Sequence, residues 1–221
     1  MGDREALSKI GLVGYWKFEE GQGLVAKDCS KYRNDGTLMP SDNPPTWVQG
    51  KRGKALSFDG SNDYVNVGFG RFETLTSGTV ILWVNPSVIG NALAAFSHWK
   101  DGNNRCTFFQ WGGGVMALRI AALGENHLIL SNDLLTLNQW SHLAFTFGAG
   151  GMKMYINGVL QTQTDATTLS WNDIGAGANN TIGCQGIASA FFPGIIDEVR
   201  IYNRALTQKE IAYDFFKGGR V

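Results

Sequence analysis

Two stretches of the chain carry side chains whose types and spacing could do chemistry. The first is "GIIDEVRIY", residues 194–202, where Asp197 and Glu198 interrupt a run of β-branched residues. Side chains of a strand alternate between two faces, so Ile195, Asp197, Val199 and Ile201 are expected on one and Ile196, Glu198, Arg200 and Tyr202 on the other. Asp197 is then the one polar member of an apolar face. A carboxylate buried there needs hydrogen bonds, a cation or a metal, because left bare it costs on the order of several kcal/mol. Glu198 and Arg200 read as an exposed ion pair, which contributes little.

The second stretch is "RCTFFQW", residues 105–111, with "VMALRIAA" following at 115–122. Arg105, Thr107, Phe109 and Trp111 alternate onto one strand face, and Val115, Ala117, Arg119 and Ala121 share a face of the next. An Arg–Trp–Phe–Arg surface suits a sugar, whose apolar ring face stacks on aromatics while its hydroxyls seek polar neighbours, or an anionic group. Trp99 and Trp171 are placed to flank it from loops. The competing reading puts Phe109 in the core with Trp16, Trp83 and Trp140.

Signals for catalysis are poor. No G-x-S-x-G, H-E-x-x-H or P-loop occurs. His98, His127 and His142 are scattered, and His142 in "WSHLAF" reads as a structural histidine. Asp59 and Asp63 lack the EF-hand spacing and its terminal Glu, so they read as turn formers. The three cysteines, Cys29, Cys106 and Cys184, include no Cys-x-x-Cys pair. They leave room for one bridge or, as the favoured expectation, three reduced and mostly buried thiols, without a structural zinc.

The elements that must position these residues are short strands. Nineteen basic and nineteen acidic side chains balance, and no basic stretch marks a nucleic-acid footprint. Apolar runs are strand-sized, too short for membrane insertion as a helix. The charged start, "MGDREALSKI", shows no signal-peptide apolar region. Turn residues, many of the 29 glycines among them, separate candidate strands at 12–20, 55–58, 63–67, 79–85, 92–99, 105–111, 115–122, 127–130, 140–147, 152–156, 158–163, 181–184 and 195–202. Asn157 followed by Gly158 between apolar runs predicts a tight type I′ hairpin. One helix is expected, with Thr207 and Glu210 as a capping box, Leu206 and Ile211 as its staple, and Gly218 and Gly219 to end it. We read an N-terminal arm over 1–10 and one all-β domain over 11–221.

Five pieces occur in a telling order: "GLVGYWKFEEGQG", "DCSKYRNDGTL", "GKALSFDGSNDYVNV", "WSHLAFTF…MKMYINGVL" and "PGIIDEVRIYNRALTQKEI". Together, over about residues 11–213, they resemble LamG-like jelly-roll domains, the laminin G-like type of concanavalin A-like lectin/glucanase sandwich. The resemblance implies an all-β jelly roll of two antiparallel sheets with neighbouring terminal strands, here with one short C-terminal helix. It implies binding or adhesion more than catalysis, and the E-x-D-x-E triplet usual for glucanases of this fold is missing, so no enzyme is expected. It also implies that acids near the first and last strands can hold a structural calcium, which makes Glu20, Asp28 and Asp197 candidate ligands. The alternative is that Asp197 caps backbone amides and Glu20 is solvated at a strand end.

The resulting expectation is a non-catalytic lectin-like module, calcium-stabilised, for carbohydrate binding or adhesion. Its partner would be a glycan or glycosylated surface, outside the cell or on a cell or virion surface, met through Trp99, Arg105, Phe109, Trp111, Arg119 and Trp171. One alternative is a structural interaction protein, such as a virion decoration subunit with protein partners in a larger assembly. A weaker one is an accessory domain of a secreted glycoside hydrolase.

Overall fold

A computed structural model describes residues 9–69, 72–186 and 189–217. Most of the predicted arm, and the glycines expected to end the helix, lie outside the described residues. The strands are β1 (Leu12–Trp16), β2 (Val25–Ala26), β3 (Gly36–Met39), β4 (Thr46–Gln49), β5 (Lys54–Asp59) and β6 (Tyr64–Phe69). Then come β7 (Ser77–Pro86), β8 (Leu93–Asp101), β9 (Asn104–Gly112), β10 (Val115–Ala122) and β11 (Glu125–Leu134). The last are β12 (Ser141–Gly148), β13 (Lys153–Ile156), β14 (Val159–Leu160), β15 (Asn179–Ile182) and β16 (Pro193–Tyr202). Two helices accompany them, α1 (Trp171–Ile174) and α2 (Gln208–Phe216).

Every described strand pairing is antiparallel. One sheet runs β14-β13-β12-β7-β16-β5-β4, with β1 also on β16, and the other runs β11-β10-β9-β8-β15-β6-β3-β2. The terminal strands are therefore neighbours, as expected. Between the sheets lies one large core built from the alternate residues of both, including Leu82, Val84, Phe145 and Phe147 against Phe96, Phe108, Leu118 and Ile120. Burying one such phenylalanine contributes roughly 1.5–3 kcal/mol.

Trp171 belongs to this core, which corrects its assignment to a ligand-flanking loop. It opens the single-turn α1 and has no exposed surface. Its indole stacks on Phe147 at 4.9 Å, on His98 at 4.5 Å and on Phe96 at 5.7 Å.

The Asn157 and Gly158 turn joins β13 to β14 with both residues at positive φ, 50° and 78°, as a type I′ turn requires. Helix α2 starts where the capping box predicts: Thr207 Oγ1 accepts from Glu210 N, and the Glu210 carboxylate accepts from Thr207 N. Leu206 and Ile211 pack with Ile81, Ala144, Tyr155 and Tyr202 on the outer face of the first sheet.

β16 does not alternate as a regular strand. Its pairing with β7 shifts between Asp197, opposite Trp83, and Arg200, opposite Ile81, so β16 uses one residue more than its partner. Glu198 takes up the extra residue at φ 55°. Ile196 faces the core before this bulge, and Val199 and Ile201 face it afterwards. Asp197 is buried, but it does not share a face with Val199. Glu198 and Arg200 are not exposed; both are buried.

Candidate functional site

The outer face of the second sheet can be read row by row from its register. In one row Asn179, Trp99, Arg105 and Ala121 lie side by side across β15, β8, β9 and β10. The next holds Thr181, Ser97, Thr107, Arg119 and Leu128, ending on β11. Beyond it come Ala94, Phe109, Ala117 and Leu130. Ala94, Phe109 and Ala117 form a small apolar cluster with Leu128, Leu130 and Ala190, separate from the main core.

Five of the six predicted contact residues thus fall on one face, Trp99 from within β8 rather than from a loop as expected, and Trp171 does not. The Arg119 guanidinium lies 5.7 Å from the Phe109 ring centroid and 6.0 Å from that of Trp111, and the Arg105 guanidinium lies 5.2 Å from that of Trp99. Such cation–π contacts hold a guanidinium without neutralising it. Burial, helped by the nearby Arg119 charge, holds Arg105 below the usual arginine range. Trp111 is 44% exposed, whereas Phe109 is only 6% exposed and forms the floor.

The loop after β15 covers part of this face. Gly186 N donates to Ser97 Oγ, Thr181 Oγ1 donates to the Cys184 carbonyl, and Ala94 N donates to the Ala190 carbonyl. Gly186 lies so close to Trp99 that a Cβ there would sit 3.2 Å from its Cδ1. Ser97 and Thr181 are thereby satisfied. Among the described residues, Thr107 Oγ1, Arg119 Nε and both amide atoms of Asn179 are buried without a hydrogen-bond partner. Thr107 and Asn179 were not among the predicted contact residues, although the alternation that selected Arg105 also selects Thr107.

The predicted metal residues are not brought together. Asp28 is saturated: it accepts from the backbone N–H groups of Tyr15, Ser30 and Asn34 and from Ser30 Oγ. That is a loop-capping carboxylate. Glu20 accepts from Lys27 N, while its Oε2 is buried and unpartnered. Asp197 lies under the residue 50–54 turn, where its Oδ2 accepts from Arg52 N and its Oδ1 has no partner. A Cβ on Gly50 would fall 2.7 Å from that Oδ2, so the turn reaches the carboxylate only because residue 50 is glycine. Glu19, which sequence reading passed over, accepts from Lys54 N in the same turn. Burial pushes the Asp197 carboxyl up to about 7. Among the described residues no group of three or more His, Cys, Asp or Glu side chains is placed to hold a metal.

On the outer face of the first sheet the charges are paired. Arg200 Nη2 meets Glu198 and the Tyr15 hydroxyl, Tyr15 donates to Glu198 at 2.6 Å, and Asp214 of α2 lies 3.5 Å from Arg200 Nη1. His142 Nε2 lies 3.0 Å from the same Asp214 carboxylate. Beside this network a cleft of about 570 Å³ opens along β1, lined by Lys9, Lys17, Lys31 and Tyr32 among others. The buried polar groups at its wall are used internally, Ser30 Oγ by Asp28 and the Tyr15 hydroxyl by Glu198.

Two antiparallel sheets, adjacent terminal strands and one capped helix define a concanavalin A-like jelly roll. The chain belongs to the Laminin_G_3 family of the concanavalin A-like lectin/glucanases superfamily, which it matches over residues 59–212. Among solved structures it is similar to domain 4 of AbnA, an extracellular GH43 arabinanase from Geobacillus stearothermophilus, in complex with arabinotriose. That likeness has a TM-score of 0.76 and 26% identity, covering 91% of this chain and 97% of that domain. It also shares its fold with the binding domain of Paraclostridial Mosquitocidal Protein 1, at TM-score 0.73 and 18% identity, covering 94% of this chain and 52% of the other. The human adhesion G-protein coupled receptor D1 is 37% identical over 78 residues. That match spans 34% of this chain and 9% of the receptor.

Proposed function

We propose that the protein is a non-catalytic carbohydrate-binding module that takes its ligand on the outer face of the second sheet, outside the cell or at a surface. The observation that carries this reading is the set of buried, unpartnered polar atoms on Thr107, Arg119 and Asn179, set beside an exposed tryptophan. Buried polar groups without partners are costly, and a ligand's hydroxyls would satisfy them. Trp111 would stack on the apolar face of a sugar ring. Domain 4 of the arabinanase, with arabinotriose bound, supports the ligand class. The cleft along β1 is less suited, because its buried polar groups are already paired.

Calcium is part of the proposal in a narrower form than the sequence implied. Asp197, with its unmet oxygen, Glu19 and backbone carbonyls of the 50–54 turn are the groups suited to a hard cation, which prefers such oxygens. Asp28 is not among them. A bound cation would hold the ionised form of Asp197 and brace the turn.

A glycan array probed with and without a chelator tests both parts. Binding to a defined glycan that Trp111→Ala abolishes, with the melting temperature kept, is the expected result. Silence on the array under both conditions would remove the carbohydrate reading and favour a protein-interaction role.

A further inference from the structure

We infer that the ligand of the second sheet's outer face is an acidic oligosaccharide, whose carboxylate or sulfate is held between Arg105 and Arg119. This rests on the carbohydrate reading and narrows it. The two arginines stand on neighbouring strands of the same face, one row apart, since Arg119 is opposite Thr107 and Arg105 is opposite Ala121. Neither has a carboxylate partner among the described residues: the ion pairs of the molecule involve Arg52, Arg200, Arg204, His127 and His142.

The rows of this face hold no Asp or Glu. From Asn179 to Ala121, from Thr181 to Leu128 and from Ala94 to Leu130, the side chains are amide, hydroxyl, aromatic, aliphatic or guanidinium. The acid that acts on Arg105 is Asp101 at the β8–β9 turn. Its oxygens already accept from Asn103 N and the Asn104 side chain. Glu125 and Asp165 are drawn away to His127.

Two guanidiniums that repel one another, with Arg119 Nε buried and unpartnered, are an unfavourable arrangement by themselves. A carboxylate or a sulfate relieves the repulsion and supplies acceptors to both forks. A neutral sugar offers acceptors but no charge. The aromatic rings below each guanidinium hold both cations on the face. Thr107 Oγ1 and the Asn179 amide, on the same two rows, are left for hydroxyls of the acidic residue or its neighbours. Trp111 stands at the margin for the ring of an adjoining sugar.

Titration calorimetry with three oligosaccharides of matched length decides the matter: a uronate, a sulfated galactan and a neutral arabinan. We expect one acidic ligand to bind at least about tenfold tighter than the neutral one, and its affinity to fall as salt is raised. Whichever acidic ligand binds tells carboxylate from sulfate. Arg105→Gln and Arg119→Gln should each weaken it about tenfold or more. Arg119→Lys, which keeps the charge but loses the fork, should fall in between and serves if a Gln variant does not fold.

Equal binding of neutral and acidic ligands, lost in Trp111→Ala, would overturn the acidic inference and leave the carbohydrate reading standing. Binding of no oligosaccharide would end both. Acidic binding indifferent to the arginine variants but lost on changing Lys17 and Lys31 would also overturn it, by moving the ligand to the cleft along β1.

Discussion

Arg200 and Arg119 lie on the outer faces of opposite sheets. Around Arg200 stand Glu198, Asp214 and the Tyr15 hydroxyl, roofed by α2. Around Arg119 stand Phe109 and Trp111, and among the described residues no carboxylate pairs with it. Buried charge that is paired belongs to folding, because removing either partner leaves the other stranded in a low dielectric. Half-buried charge held by aromatic rings, as at Arg119, retains its capacity for a ligand. The fold uses the same residue type for both ends, and the partners decide which.

The largest test of this contrast is to remove Arg200. Arg200→Ala should cost about 3–5 kcal/mol in urea unfolding, since Glu198 and Asp214 lose their cation. Arg119→Gln should cost under about 1 kcal/mol in the same measurement. A reversal of that order would erase the distinction between the two faces.

Next in size is a pH effect at Asp197. Its folded carboxyl titrates near 7, above the ordinary aspartate value. Below about pH 4 the folded and unfolded chains both hold the proton. Between about pH 4 and 7 the unfolded chain releases it while the folded chain keeps it, so this group's contribution to stability falls as pH rises. Asp197→Asn should therefore gain on the wild type across that window, by on the order of 2–4 kcal/mol at pH 8 without calcium. Added calcium should close the gap by favouring the ionised form. A wild type and variant that track each other from pH 4 to 8 would show that the buried carboxyl is not desolvated as described.

Smaller still is the cap of α2. Thr207→Ala should lower stability by about 1 kcal/mol, read from the unfolding midpoint, because Glu210 N loses its side-chain acceptor. An effect near zero would mean that α2 contributes little to roofing the Arg200 network. The least expected loss of stability is in Trp111→Ala, about 1 kcal/mol or less, because that indole is 44% exposed. Its value is as a contrast: ligand binding should vanish while the unfolding curve hardly moves.

What the sequence disclosed was chiefly local. The α2 cap is contained in Thr207, Glu210 and their flanking apolar pair, and the β13–β14 turn in Asn157 and Gly158, so both read directly. Strand alternation likewise put Arg105, Phe109, Trp111 and Arg119 on one sheet surface. The bulge at Glu198 was invisible because it exists only relative to β7, and a period-two reading then misplaced every side chain on one side of it. Trp171 was misread for a related reason. Its own turn is four residues long, and its position is set by Phe96, His98 and Phe147 from distant strands. The short β2, β3 and β4 lie among Gly, Pro and Asn, where composition speaks for loops and only pairing makes strands. Asp28 was a calcium candidate through the family resemblance; its hydrogen bonds to three backbone amides appear only once the loop is folded.

The pairing of β1 with β16 bears on how the module can be handled. Tyr15 lies opposite Arg200, and Asn203 N donates to the Gly11 carbonyl, so both ends of the fold leave from the sheet that carries α2. The tryptophan and arginine surface belongs to the other sheet. A tag, a linker or a solid support joined at either end therefore attaches at the back of the domain. Immobilised by its N- or its C-terminal side, the domain should present the same face to a passing polymer, and its measured capacity should not depend on which end is anchored.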